Sequence, residues 1–126
     1  MICSQNEIKS YKDFHLTNFN TLKIDSIAKI LYMPDNYGEM ISLFKRYKNE
    51  NLIILGAGSN ILFSSQGVFE PIIHSEKINA IKAVNDTIEV EMGYRVQALS
   101  KYALQKGLSG FEFLIGIPAT LGGAVY

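Results

Sequence analysis

The chain has 126 residues with 12 Lys+Arg against 12 Asp+Glu, a formal net charge of zero and 48% hydrophobic residues. That length suits one compact domain with its own core, and the composition excludes a disordered chain. A balanced charge and a sequence pI near 6.7 exclude the general electrostatic attraction behind nucleic-acid and anionic-membrane binding.

Cys3 is the single cysteine, so neither an internal disulfide nor a Cys-rich zinc site is expected. His15 and His74 are far apart in sequence and lack second ligands at metal-site spacing, so no metal site is expected. Residues 1–7 have no apolar core of a signal peptide, and runs such as Leu52–Leu55 are too short to span a bilayer. The expected setting is cytoplasmic.

Residues 1–20 read as irregular or as a short helix. The apolar run 27–33, stopped by Pro34, reads as a buried strand. Asn36 and Glu39 have capping-box spacing ahead of Met40, Ile41, Phe44 and Tyr47 at helical spacing, with Lys45, Arg46 and Lys48 at the end. Leu52–Leu55 and Pro71–His74 are read as further short strands. Ala80–Glu91 predicts a hairpin turning at Asn85-Asp86. Val96–Lys106 predicts a second helix closed by Gly107. Residues 110–126 show no clean period. Consecutive strands favour an α+β fold over a doubly wound sheet.

Two glycine-rich segments carry the chemistry. The first, Gly56-Ala57-Gly58-Ser59-Asn60-Ile61, directly follows a buried strand. Glycine permits positive φ and close approach of a ligand, and successive free N–H groups form a concave anion site. The Ser59 hydroxyl and Asn60 amide add donors. A phosphate or pyrophosphate fits that chemistry, and a ligand-free tight turn fits the same residues. A Rossmann fingerprint fails because Ile61 stands where the third glycine belongs, and no helix pattern follows. A P-loop is excluded because no Gly-Lys-Ser/Thr follows. In the second segment, Gly116-Ile117-Pro118-Ala119-Thr120-Leu121-Gly122-Gly123-Ala124, Pro118 restricts Ile117 and the glycine pair permits a sharp turn. Thr120 adds a hydroxyl and an N–H.

Together with Asn20-Thr21 and the run from Gly107-Leu108 to Glu112, the order and spacing of these segments carry a resemblance across essentially all 126 residues. The chain resembles the UDP-N-acetylenolpyruvoylglucosamine reductase family, flavoenzymes of peptidoglycan, and hence cell-wall, synthesis. The resemblance implies the N-terminal portion of an FAD-binding domain of the PCMH or vanillyl-alcohol-oxidase type. It implies two small α+β lobes, roughly 1–75 and 76–126, the second incomplete, with FAD between them. Gly56, Ala57, Gly58, Ser59, Asn60 and Ile61 would hold the pyrophosphate, after which Ile61 and Leu62 would return into the sheet. Gly116, Ile117, Pro118, Ala119, Thr120, Gly122, Gly123 and Ala124 would pass beside flavin and pyrophosphate, with Ile117 and Thr120 the main contacts. Asn20-Thr21 would sit near the phosphate or the substrate entrance.

In that family NADPH supplies the hydride and a UDP-linked sugar is the substrate. The chain departs at Ala119, where the family usually has glycine. The family's later Arg, proton-donating Ser and Glu have no counterpart in residues 1–126, so no catalytic residue and no substrate domain are expected in this chain, and it is expected to be inactive alone. Another flavin oxidase of the same fold is disfavoured in its covalent form, since no histidine lies between Gly56 and Phe69. A non-catalytic nucleotide-binding module is the remaining alternative. Phe111 and Phe113 are expected in the core, Glu112 and Arg95 as surface charges rather than an acid–base pair, and His74 as a hydrogen-bonded strand end.

Overall fold

The computed structural model describes residues 7–126; the reading of the first six residues, Cys3 included, lies outside them. β1 (Ser10–His15) and β2 (Ile27–Tyr32) pair antiparallel, Ser10 opposite Tyr32 and His15 opposite Ile27. From β2 the chain crosses through α1 (Tyr37–Arg46) to β3 (Ile53–Leu55), and the connection 56–71 leads to β4 (Ile72–His74). β4 inserts between β2 and β3, parallel to both, so the sheet order is β1-β2-β4-β3.

Both faces are covered where the two central strands pair, at Leu31-Tyr32 and Ile72-Ile73, which is why these segments read as continuous apolar runs rather than alternating ones. Side chains on a strand alternate faces. Accordingly Leu31 and Ile72 pack with Leu16, Leu55, Phe63 and Val68. Their neighbours Tyr32 and Ile73 pack instead with Met40, Leu43 and Ile78, partly from α1. The α1 cap is reciprocal. Asn36 Oδ1 accepts from the Glu39 N–H at 3.0 Å, and the Glu39 carboxylate accepts from the Asp35 N–H at 2.8 Å. Such a cap contributes about 1 kcal/mol.

The second half begins with a hairpin, β5 (Ile81–Val84) and β6 (Thr87–Val90), turning through Asn85 at φ +54°. α2 (Val96–Gln105) follows and ends before Gly107, whose φ of +71° lets the Leu108 N–H reach back to the Ala103 carbonyl at 2.9 Å. Val96, Leu99 and Leu114 centre a third cluster, with Ile81, Ile88, Val90, Phe111, Ile117 and Ala119 packed on it. A 3₁₀ turn (Glu112–Gly116) and α3 (Leu121–Val125) complete the chain. Among the described residues no helix is long and apolar enough to cross a membrane.

Three expectations are corrected. Residues 10–15 form a strand and not a helix or coil; all but Phe14 are exposed, so this edge strand carries no buried stripe for the sequence to display. Ile61 and Leu62 do not return into the sheet: Ile61 packs against the first cluster from a loop, and Leu62 is exposed. Phe113 is 70% exposed rather than core, whereas Phe111 does pack inward.

Candidate functional site

The site is built where β3 ends. The Leu55 carbonyl accepts from both the Ser75 N–H (2.9 Å) and Ser75 Oγ (3.2 Å), so the chain leaves the sheet immediately after it. Gly58 then turns the loop at φ +65°. A Cβ there would strike the Phe19 carbonyl and lie 2.9 Å from Asn20 Cα, so only glycine fits. From the same side the Thr21 N–H donates to the Gly58 carbonyl at 3.0 Å.

Asn20-Thr21 therefore supports the loop from behind. The buried Asn20 amide closes its own turn, donating to the Leu16 carbonyl (2.9 Å) and the Ile24 carbonyl (3.0 Å) and accepting from the Ile24 N–H (3.0 Å). Its amide is thus engaged within its own turn, directly behind Gly58.

Among the described residues, none of the main-chain N–H groups from Ala57 to Ile61 donates a hydrogen bond within the chain. The side chains of Ser59 and Asn60 make none either, and Asn60 is exposed. A row of unused donors on a turn is the chemistry of an anion cradle.

The second segment is pinned by main-chain bonds to residues 92–96. Val96 N–H donates to Ala119 (3.1 Å), Leu121 N–H to Tyr94 (2.8 Å) and Gly122 N–H to Met92 (2.8 Å). This bridge places Thr120, 1% exposed, against Gly56. A Cβ on Gly56 would collide with Thr120 Oγ1 and lie 3.3 Å from its Cβ. The two glycine-rich segments thus meet at Gly56 and Thr120.

Other residues of the second segment lie differently. Ile117 and Ala119 pack into the third cluster. Ala119 is not among the residues of positive φ, so alanine at this position costs nothing in backbone strain. Gly116 and Pro118 are exposed, as are Gly123 and Ala124 on α3, with Gly122 half-buried.

A cleft of about 500 Å³ opens beside the meeting point, lined by Phe19, Gly56, Ala57, His74, Glu76 and Arg95 among others. His74 ends β4 opposite Leu55, with its ring edge-on to Phe19 at 4.9 Å. Its Nε2 lies 3.6 Å from one Glu76 oxygen, and the other oxygen is ion-paired with the Arg95 guanidinium. Burial, aided by Arg95, holds the His74 imidazole below its ordinary range against the opposing pull of Glu76 and the Gly56 main chain.

The Glu76–Arg95 pair was not legible in the sequence, because nothing local links a strand end to a residue opening α2. Glu112 lies elsewhere, accepting from the Gly110 N–H at 2.9 Å. The free amides and the adjoining cleft together fit a dinucleotide pyrophosphate.

A family model described as an FAD binding domain matches residues 28–126. Over 115 residues, 89% of the chain and 38% of the relative, the sequence is 41% identical to a UDP-N-acetylenolpyruvoylglucosamine reductase of Borrelia garinii. Over 121 residues, 94% of the chain and 39% of the relative, it is 38% identical to the protein of the same name from Caldicellulosiruptor saccharolyticus. The chain therefore spans less than half the length of these curated relatives.

Among solved structures, UDP-N-acetylenolpyruvylglucosamine reductase from Thermus caldophilus superposes with a TM-score of 0.68 at 30% identity, covering 94% of this chain and 41% of that one. An alkyldihydroxyacetonephosphate synthase shares the fold alone, with a TM-score of 0.53 at 23% identity over 80% of this chain and 20% of that one. The architecture is the vanillyl-alcohol-oxidase type of FAD-binding fold. Matched over residues 28–126, the chain belongs to the FAD-binding domain family.

Proposed function

We propose that the chain supplies the FAD-binding portion of an NADPH-dependent reductase acting on UDP-N-acetylenolpyruvoylglucosamine in cytoplasmic peptidoglycan synthesis. The observation that carries this reading is the row of undonated amides from Ala57 to Ile61, held against Thr120 at Gly56. The relatives, named as UDP-N-acetylenolpyruvoylglucosamine reductases, supply the reaction class.

In this reading the amides of Ala57, Gly58, Ser59 and Asn60 bind the pyrophosphate oxygens, each contact charge-assisted and so stronger than a neutral hydrogen bond. Gly56 admits the second segment to the back of the cradle. Thr120, Gly122 and Gly123 flank it, while Gly116, Ile117, Pro118, Ala119 and Ala124 form the wall beyond. The lobe boundary falls after Ser75, between the first sheet and the β5–β6 hairpin. FAD, when bound, carries the hydride; these residues bind, orient and exclude water. Substrate binding and proton donation belong to groups outside this set.

The test joins residues 1–126 to the remaining portion of the Borrelia relative and follows NADPH absorbance with UDP-N-acetylenolpyruvoylglucosamine present. Substrate-dependent oxidation that disappears with Gly58→Val is the expected result. A hybrid that folds and binds FAD but oxidises no NADPH on adding this substrate contradicts the assignment.

A further inference from the structure

We infer that His74 is a positioning residue that links dinucleotide affinity to protonation, through its place between the Gly56 main chain and the Glu76–Arg95 pair. The inference rests on the placement of the pyrophosphate at Ala57–Asn60 proposed above.

Geometry carries it. His74 lies opposite Leu55 in the β3–β4 register, so its ring stands beside the first residue of the cradle and lines the same cleft as Gly56 and Ala57. Phe19 closes the ring on one side, and the Phe19 carbonyl is the group that a Cβ on Gly58 would strike. Glu76 then reaches from His74 to Arg95. The main chain of Arg95 is bridged to Thr120. A single carboxylate thus connects the groups behind both glycine-rich segments.

The charged groups facing His74 across the cleft are Glu76, Arg95 and Lys77, and Lys77 is itself ion-paired with Asp35. Asn18, Phe19 and Met33, which also line the cleft, carry no charge. Glu76 is shared with Arg95, so it neutralises an imidazolium only in part. A pyrophosphate on Ala57–Asn60 adds negative charge beside the ring and stabilises its protonated form. Linkage makes this reciprocal: binding draws a proton onto His74, and affinity rises as pH falls through its titration. The rise runs from the higher, bound-state titration down to the free-state one, which burial holds below the ordinary imidazole value of 6.5.

The test is an FAD titration followed by flavin fluorescence between about pH 8 and about pH 5, where the pyrophosphate charge stays constant. The wild-type chain gains affinity on the order of tenfold toward the acid end, as expected for a charge pair at partly screened range. His15→Asn, altering the exposed histidine paired with Asp25, keeps this slope, and His74→Asn flattens it. In the wild-type chain, the imidazole NMR signal of His74 titrates at higher pH once FAD is added, a readout independent of how the variants fold.

A slope unchanged in a folded His74→Asn chain, or a His74 titration unmoved by FAD, overturns this inference alone. No saturable binding by the folded wild-type chain at any pH overturns the placement of the pyrophosphate, and this inference falls with it.

Discussion

Thr120 Oγ1 occupies the space that a Cβ on Gly56 would need. Residues 64 positions apart, 120 minus 56, are thereby in contact at the point where the two glycine-rich segments meet. Gly56→Ala is expected to destabilise the chain by about 1–3 kcal/mol, the usual range for overpacking. Thr120→Ala removes the obstructing Oγ1. The double variant should therefore be more stable than the sum of the single effects by at least about 1 kcal/mol in a denaturation cycle. Additive effects would show that the two segments do not touch.

Gly58 is constrained twice, by its φ of +65° and by the main chain of Phe19 and Asn20 behind it. Gly58→Ala therefore carries left-handed strain of about 1–2 kcal/mol in addition to the backbone collision. Thermal unfolding should record the loss. FAD affinity should fall further than stability does, because the loop is displaced toward the ligand.

Asn20 separates a support role from a ligand role. Replacing it with Ala leaves the half-buried Ile24 N–H and carbonyl without partners, at about 1–3 kcal/mol each, and leaves the buried Leu16 carbonyl with the Phe19 N–H alone. Chemical denaturation should show a large loss of stability. FAD affinity, measured where the variant is still folded, should change little by comparison. A stable Asn20→Ala chain with abolished binding would place this amide on the ligand.

Tyr32 and Tyr47 share a hydroxyl hydrogen bond of 2.6 Å at the α1 face of the sheet. Burial first, then that bond, pushes the Tyr47 phenol up to about 12 from an ordinary 10.0. Since the folded value is the higher one, the stability it contributes is complete below pH about 10 and is lost as pH rises through about 12. Ultraviolet titration should show one late phenol among the seven tyrosines, absent in Tyr47→Phe.

Elements whose burial matches a period were legible in the sequence. β2, β3 and β4 appear as short apolar runs, α1 through Asn36, Glu39 and Met40, and the hairpin through Asn85-Asp86. β1 was not legible: its side chains face solvent and its pairing partner β2 supplies the burial. The glycine-rich turn was visible because glycine spacing is itself the signal. The contact of Gly56 with Thr120 and the His74–Glu76–Arg95 cluster depend on which strands become neighbours, and sheet order is not written in any local window. Asn20-Thr21 was visible as a pair, but its work in holding Gly58 required the fold.

The most direct test of the cradle is equilibrium FAD titration of the purified chain beside Gly58→Val, with circular dichroism confirming that both are folded. Saturable flavin binding by the wild-type chain and none by Gly58→Val is the predicted result. A folded wild-type chain that binds no FAD, or a folded Gly58→Val chain that binds it equally well, would contradict the assignment of Ala57–Asn60 as the pyrophosphate site.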